Sequence, residues 1–263
     1  MASTSSLSLI MSARTIFCRF CGAAGAHRFG KDRRHRQRYK CPHCFKVFLR
    51  RTNTVKSGSH LSDRQWEMAL KLFATRAGMS AADLSRVLGI NPKTAQKLNR
   101  IFRYVVRGLR PHSIPGVSEW DESTFSTQWV LGGVSRDSKQ CLLECIPDRR
   151  EDTMCPRVLR AAGPEGLVFT DEHLGYSGLY RHMTVCHAKE FVNSDARFVH
   201  TNTQEGVWGH CKTLSWHIYR GFPKASLPQF LSECMFRYNL RSYPTRVSVL
   251  SALLSRKTNS YLV

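Results

Sequence analysis

Two groups of residues in this chain have the types and spacing to bind metal ions. The first offers sulfur. Cys18-x-x-Cys21 is followed, after 19 intervening residues, by Cys41-x-x-Cys44. Each pair can close on an ion as a knuckle, and two knuckles supply the four thiolates of a tetrahedral zinc site. Disulfides or chance spacing are the alternatives. Gly22 after the first pair, Pro42 inside the second and the aromatic residues nearby favour zinc. Four cysteines leave no open coordination position, so one structural Zn²⁺ is expected, and His27, His35 and His43 are not needed as ligands. The second group offers oxygen: Asp121 in SEWDESTF, Asp171 in LVFTDEHLGY and Glu205 in HTNTQEGVWGHCK. Three carboxylates suit Mg²⁺ (or Mn²⁺), hard ions that keep part of their water shell. Two such ions about 4 Å apart can activate a nucleophile and stabilise the leaving oxygen of a phosphodiester.

An isolated acidic residue is usually a solvated surface group, so the setting has to carry the argument. The chain has 19 Asp and Glu against 40 Lys and Arg, a formal charge of +21 and a pI near 10.0. Such an excess of cations favours a polyanionic partner, and nucleic acid is the first candidate. No apolar run approaches the roughly 18 residues that span a bilayer, and no lipidation motif is present, so no membrane partner is expected. The Ser-rich start, MASTSSLSLIMSART, lacks a basic segment followed by a long apolar one. Residues 1–13 therefore read as a disordered tail rather than a secretory signal, with a transit peptide as the alternative. The six cysteines outside the pairs are scattered singly, which fits a reducing compartment.

These groups must be positioned by the elements around them. Residues 14–55 read as a zinc ribbon, with so little apolar content that metal is needed to fold it. Its basic segment from Lys31 to Lys40 is a candidate phosphate contact. Residues 56–110 read as helices. Trp66, Ala69, Leu70 and Phe73 share one face of the first, which Gly78 ends. Ser80 caps the second, with Asp83 at the capping-box position, and Gly89 makes a turn. Asn91 and Pro92 start the third. Two helices about a glycine turn suggest a helix-turn-helix, a plain helical linker being the alternative. In that case Lys93, Thr94, Gln96 and Lys97 would face a DNA groove, and Arg100, Arg103 and Arg107 the backbone.

PHSIPG, residues 111–116, reads as a linker. Residues 117–245 then change to an α/β pattern. VSEWDESTF, TQWVLGGVSR and KQCLLECIPD are consecutive strands. EDTMCPRVLRAAG is a helix with Pro156 expected in its first turn. GLVFTDE is a buried parallel strand ending at Asp171, and open α/β sheets place ligands at such strand ends. TVCHAKEFV is a further strand, and a helix follows with Glu205. On that helix Asn202 could cap the start or orient Glu205. Lys212, two turns on, could clamp a phosphate or be an ordinary surface lysine. Glu122 and Glu172 read as exposed partners of the aspartates. A last helix, LPQFLSECMFRYNLRSY, turns Leu227, Phe230, Leu231 and Cys234 to the core, with Phe236 or Met235. Residues 246–263 read as a C-terminal tail.

The segments CRFC…CPHCFKVF, SEWDES, VFTDEHLGYSGL, HTNTQEGVWGHCK and FLSECMFRYNLR, covering about residues 18–242, resemble the Merlin-type DDE transposases and their bacterial insertion-sequence relatives. The 49 residues between the aspartates and the 33 between Asp171 and Glu205 are similar to that family's D…D…E layout. The resemblance implies an RNase H-like catalytic domain, a mixed sheet with flanking helices, in which Asp121, Asp171 and Glu205 are the catalytic carboxylates. It also implies binding of the double-stranded terminal inverted repeats of an element by the N-terminal modules, where Lys93, Lys97 and Arg100 are the contacts expected from the helix-turn-helix reading. Metal-dependent cleavage and strand transfer by a homo-oligomer on DNA would follow, in the nucleoid of a bacterium or the nucleus of a eukaryote. The chain departs from the family in two places. STFSTQWV closes with very few residues a gap that is usually longer and basic, and Cys211 precedes Lys212. A domesticated DNA-binding protein and a nuclease without strand transfer therefore stand as alternatives.

Overall fold

A computed structural model describes residues 15–185, 200–221 and 223–256. The expected tail 1–13 lies outside them, as does most of the strand expected in TVCHAKEFV. The chain divides into two compact units, one of residues up to His60 with the chain end from Leu254, the other of Leu61–Leu253.

In the smaller unit three short antiparallel strands, β1 (His27–Lys31), β2 (Gln37–Lys40) and β3 (Val47–Leu49), form one sheet. Its core is Cys18, Ala26, Tyr39, Cys41 and Phe48. The basic turn between β1 and β2 is held by Asp32, whose carboxylate accepts from the Arg34 and Arg36 amides, both at 2.9 Å, and from Arg36 Nε at 2.7 Å.

The larger unit opens with three helices, α1 (Asp63–Phe73), α2 (Ala81–Leu88) and α3 (Pro92–Val106). Trp66, Ala69, Leu70 and Phe73 are the buried residues of α1, as their spacing predicts. The helix stops at Phe73, earlier than Gly78. Ser80 and Asn91 cap α2 and α3 through their side chains, and Gly89 makes the turn in the left-handed region at φ 60°. These helices fall in the same compact unit as the sheet, Leu61–Leu253. The connection 111–116 is not a free linker. Ile114 is fully buried, and its amide donates to Ala161 O at 2.8 Å.

A five-stranded sheet follows, in the order β6–β5–β4–β7–β8. Its strands are β4 (Val117–Phe125), β5 (Gln128–Ser135), β6 (Cys141–Ile146), β7 (Leu167–Asp171) and β8 (His182–Val185). β4, β5 and β6 pair antiparallel, whereas β7 runs parallel to both β4 and β8. Ser126 and Thr127 alone join β4 to β5, both with positive φ (46° and 65°), so STFSTQWV is a tight hairpin. α4 (Glu151–Ala162) links β6 to β7. Pro156 sits inside α4 rather than in its first turn. The hydrogen bond it forfeits would have gone to the carbonyl of Asp152, which is solvent-exposed at the helix start.

α5 (Asn202–Thr213) runs on into a π-helical turn, Leu214–Ile218, and is followed by α6 (Leu227–Asn239). Both Met235 and Phe236 are buried, together with Leu227, Phe230, Leu231 and Cys234. Residues 246–255 are not a tail. They belong to a seventh helix, α7 (Tyr243–Ser255), with Leu250 and Leu254 buried. Arg246 anchors its start by donating to Ala74 O at 2.6 Å and to the Leu240 and Arg241 carbonyls, each at 2.7 Å. No helix among the described residues is long and apolar enough to cross a membrane.

Candidate functional site

The four paired cysteines come together. Their sulfurs lie within 4.8 Å of one another, with Cys18 to Cys44 and Cys21 to Cys41 each at 3.6 Å. A tetrahedral zinc with bonds of about 2.3 Å holds its sulfurs roughly 3.8 Å apart, so the quartet could hold a structural zinc with little adjustment. Both knuckles are built alike. Gly22 and Phe45, the residues after each second cysteine, have positive φ (81° and 59°) and donate to the carbonyls of Cys18 and Cys41 at 3.1 Å. Amides of Phe20 and His43 point at the Cys18 and Cys41 sulfurs at 3.3 Å. Burial raises the Cys18 thiol pKa, but the Cys21 and Phe20 amides outweigh this and hold it at about 6, ready to ligate as thiolate. His27, His35 and His43 are exposed.

The oxygen group is organised by the central strands. Register pairs Glu119 of β4 with Phe169 of the parallel β7. Two residues further along each strand come Asp121 and Asp171, on neighbouring strands about 4.8 Å apart. Asp171 pairs with Val185 at the carboxyl end of β7. Asp121 is half-buried, and its carboxyl pKa is pushed up to about 6. Burial is the main cause, and the nearby Glu122 and Asp171 charges add to it. The Glu122 amide (2.8 Å) and Trp208 Nε1 (2.9 Å) oppose it by donating to the carboxylate. Asp171 accepts from the His173 amide at 3.1 Å.

Trp208 is the link to α5. Glu205 stands one turn before it, exposed at the edge of the helix face that packs on the sheet. Two features place that helix. Gly132, paired with Asp121 across β5, leaves room for it, since a Cβ there would lie 2.3 Å from Gln204 Nε2 and 2.6 Å from the Trp208 ring. Glu119, on the same face of β4 as Asp121, then holds the helix start. Its fully buried carboxylate accepts from the Thr203 and Gln204 amides at 2.7 and 3.1 Å, and from Thr203 Oγ1 at 2.8 Å. An acid receiving the free amides of a first helical turn is stabilising. Arg136 pairs with Glu119 at 2.6 Å, reaches His200 O at 2.9 Å and lies over the Phe169 ring. Asn202 is thus the first residue of α5 and not its cap, because Glu119 has taken that task from across the sheet.

Among the described residues, the cysteine quartet is the one group of potential ligands converging within 4.8 Å, so Asp121, Asp171 and Glu205 are not gathered that tightly. Two ions about 4 Å apart, with oxygen ligands at about 2.0–2.1 Å, span up to roughly 8 Å and do not require it. The donor chemistry fits: the Asp121 carboxylate has the acidic Glu122 and Asp171 nearby and accepts from one amide and one indole. Glu122, expected to be exposed, points to the opposite face, where it accepts from Tyr176 OH at 2.8 Å and Arg149 at 3.1 Å.

Lys93, Lys97 and Arg100 share one exposed face of α3, opposite its buried Ala95, Leu98 and Phe102. Gln96, Arg107 and Lys212 are exposed as well, and Thr94 is half-buried. Arg103 is not available to a DNA backbone, because it is largely buried and pairs with Glu233 at 2.6 Å. Sequence reasoning missed Glu119, Arg136 and Trp208. The one signal for Glu119 was its place two residues before Asp121, on the same strand face.

Residues 119–239 match the model of the ISXO2-like transposase domain. Over these residues, a little under half of the chain, it is similar to insertion-sequence-related DDE transposases. The match runs from Glu119, which holds the start of α5, to Asn239 at the end of α6, and takes in all three acids. Over 115 residues the chain is 24% identical to an uncharacterized transposase-like protein of Haemophilus influenzae, covering 41% of this chain and 89% of that protein.

Proposed function

We propose that this chain is a transposase that binds the double-stranded ends of its element and carries out metal-dependent cleavage and strand transfer. Residues 117–245 would be the catalytic domain, of RNase H-like type. The observation that supports the reading is that Asp121 has Asp171 on the neighbouring strand and is bonded by Trp208 from the helix that bears Glu205. An antiparallel β4–β5–β6 meander extended by two parallel strands supports the fold assignment.

In this reading Asp121, Asp171 and Glu205 hold Mg²⁺ or Mn²⁺. When bound, the ions supply an activated water or 3′ hydroxyl and neutralise charge on the leaving oxygen. The chain's own residues do the positioning. The Trp208 indole fixes the Asp121 carboxylate. Glu119 and Arg136 fix the first turn of α5 and so the origin of Glu205. Lys212 and Asn202 are exposed on α5 to meet phosphates, and Lys93, Lys97 and Arg100 do so on α3. The cysteine quartet holds one Zn²⁺ that folds the ribbon. Cleavage at two ends calls for more than one subunit on DNA.

The test uses purified protein, duplex DNA carrying the gene's own flanking ends, and Mg²⁺ or Mn²⁺, with Glu205→Gln beside the wild type. New 3′ hydroxyls at the ends and joined products, absent in the variant, are expected. Binding without cleavage would sink the enzymatic reading in favour of a domesticated DNA-binding protein. Cleavage without joining would favour a nuclease.

A further inference from the structure

Trp216 is 70% exposed on the π-helical turn that prolongs α5. Its position on the helix is informative. Counting from Glu205, residues 209, 212 and 216 fall at i+4, i+7 and i+11, which an α-helix brings to one side. The π turn, closed by the Tyr219 amide on Leu214 O at 3.1 Å, winds more slowly, yet over the four residues from Lys212 to Trp216 either winding returns close to a full turn. Glu205, Gly209, Lys212 and Trp216 therefore form one exposed line, with Trp216 roughly 15 Å beyond Glu205.

Two glycines bare the helix along this line. Gly206 and Gly209 are exposed, and a Cβ added to either would meet nothing within 4 Å. Packing does not require them, and each costs a helix interior about 1 kcal/mol relative to alanine. What they provide is close approach of another backbone to the helix between Glu205 and Lys212. The occupant follows from charge and continuity. The line begins at the candidate carboxylate site, passes a lysine and ends at an indole in a chain of net charge +21. A phosphate backbone with an accessible base face matches that order of groups, whereas the face of a fully stacked duplex base is covered.

We propose that Trp216 stacks on a base displaced from the duplex within about five nucleotides of the bond held at Asp121, Asp171 and Glu205, at roughly 3.4 Å per nucleotide. Lys212 neutralises a phosphate in between. This rests on the nucleic-acid reading above and adds that the end DNA is opened rather than held as a continuous duplex.

The experiment compares wild type, Trp216→Ala and Trp216→Phe, as full-length zinc-loaded protein, on end duplexes that are fully paired or carry one mismatch at each of the first six positions. Cleavage rate and permanganate reactivity of thymines near the cut are read together. Trp216→Ala is expected to slow cleavage of paired DNA by about 5- to 150-fold, the range of one base–aromatic stack. It should also lose a permanganate-reactive thymine seen with wild type. A mismatch at the displaced position restores most of the rate, and Trp216→Phe retains part of it. Wild-type cleavage with an equal rate and an unchanged permanganate pattern in Trp216→Ala overturns the inference and leaves the transposase reading standing. A wild-type protein that neither binds nor cuts its own ends overturns both.

Discussion

Glu233 offers the sharpest thermodynamic test of how the larger unit is held together. It is fully buried on α6, and it was placed by sequence only as part of a helix. Its carboxylate pairs with Arg103 of α3 at 2.6 Å and with Arg237 one turn along α6, and it accepts from Tyr219 OH. Arg237 in turn donates to Phe73 O at 2.5 Å and to Thr75 O, at the end of α1. Burial alone would raise the Glu233 pKa, but the two guanidiniums reverse this and bring it to about 2 from an ordinary 4.5. That difference corresponds to roughly 3 kcal/mol.

Because the folded pKa lies below the ordinary one, this increment is fully present above about pH 4.5 and is lost as pH falls toward 2. At pH 3 about 1 kcal/mol of it remains. Glu233→Gln keeps the shape but strands Arg237 without a countercharge, a change that typically costs about 3–5 kcal/mol. All five tryptophans lie within residues 66–216, so fluorescence during urea unfolding reports the larger unit alone. The variant should be less stable by about 3–5 kcal/mol at pH 7, with the gap narrowing by roughly 2 kcal/mol at pH 3. Equal stability at pH 7, or a gap that does not change with pH, would refute the argument and show that desolvation cancels the pairing. Helices α1–α3 should also unfold with the sheet in one transition, since Arg103 of α3 and the Phe73 carbonyl at the end of α1 are both tied to α6.

Three further outcomes follow from the geometry. A strong chelator should remove one zinc per chain and abolish amide protection across β1–β3 while leaving tryptophan fluorescence unchanged; fluorescence that collapses with the ribbon would contradict this. Gly132→Ala should destabilise the larger unit by about 1–3 kcal/mol, because its Cβ would enter the space of Gln204 and Trp208, and should cut end cleavage sharply; unfolding and cleavage assays at wild-type values would refute it. Trp208→Phe removes the indole donor that stabilises the Asp121 carboxylate, so that pKa should rise further above about 6 and the acid limb of the cleavage pH profile should move upward; an unmoved limb would mean that the indole does not act on Asp121.

What was legible in the sequence was local. The knuckles, the caps at Ser80 and Asn91, the buried face of α1 and the parallel strand ending at Asp171 depend on residues a few positions apart. The failures needed distant partners. The final helix α7 looked like a tail because it has no strong apolar face, and a buried Arg246 with three backbone carbonyls anchors its start. Residues 111–116 looked like a linker because proline and glycine flank the one side chain, Ile114, that packs into the core. Arg103 looked like a phosphate contact because the acid that claims it lies 130 residues away.

The acids carry this point furthest, because residue type alone cannot separate their roles. Glu119 and Glu233 are more buried than Asp121, yet each is surrounded by donors and cations: Arg136 with two amides for one, Arg103, Arg237 and Tyr219 for the other. Their charge is answered within the fold, and they serve as fasteners. Asp121 has acidic neighbours, one indole and one amide, and its carboxyl is pushed up to about 6 where that of Glu233 is held at about 2. A fold that sets Asp121 beside other acids, while using cations to satisfy acids elsewhere, has a place where an added cation lowers the free energy. That contrast, more than the count or spacing of the three carboxylates, is the physical reason for reading Asp121 and Asp171 as the start of a metal site.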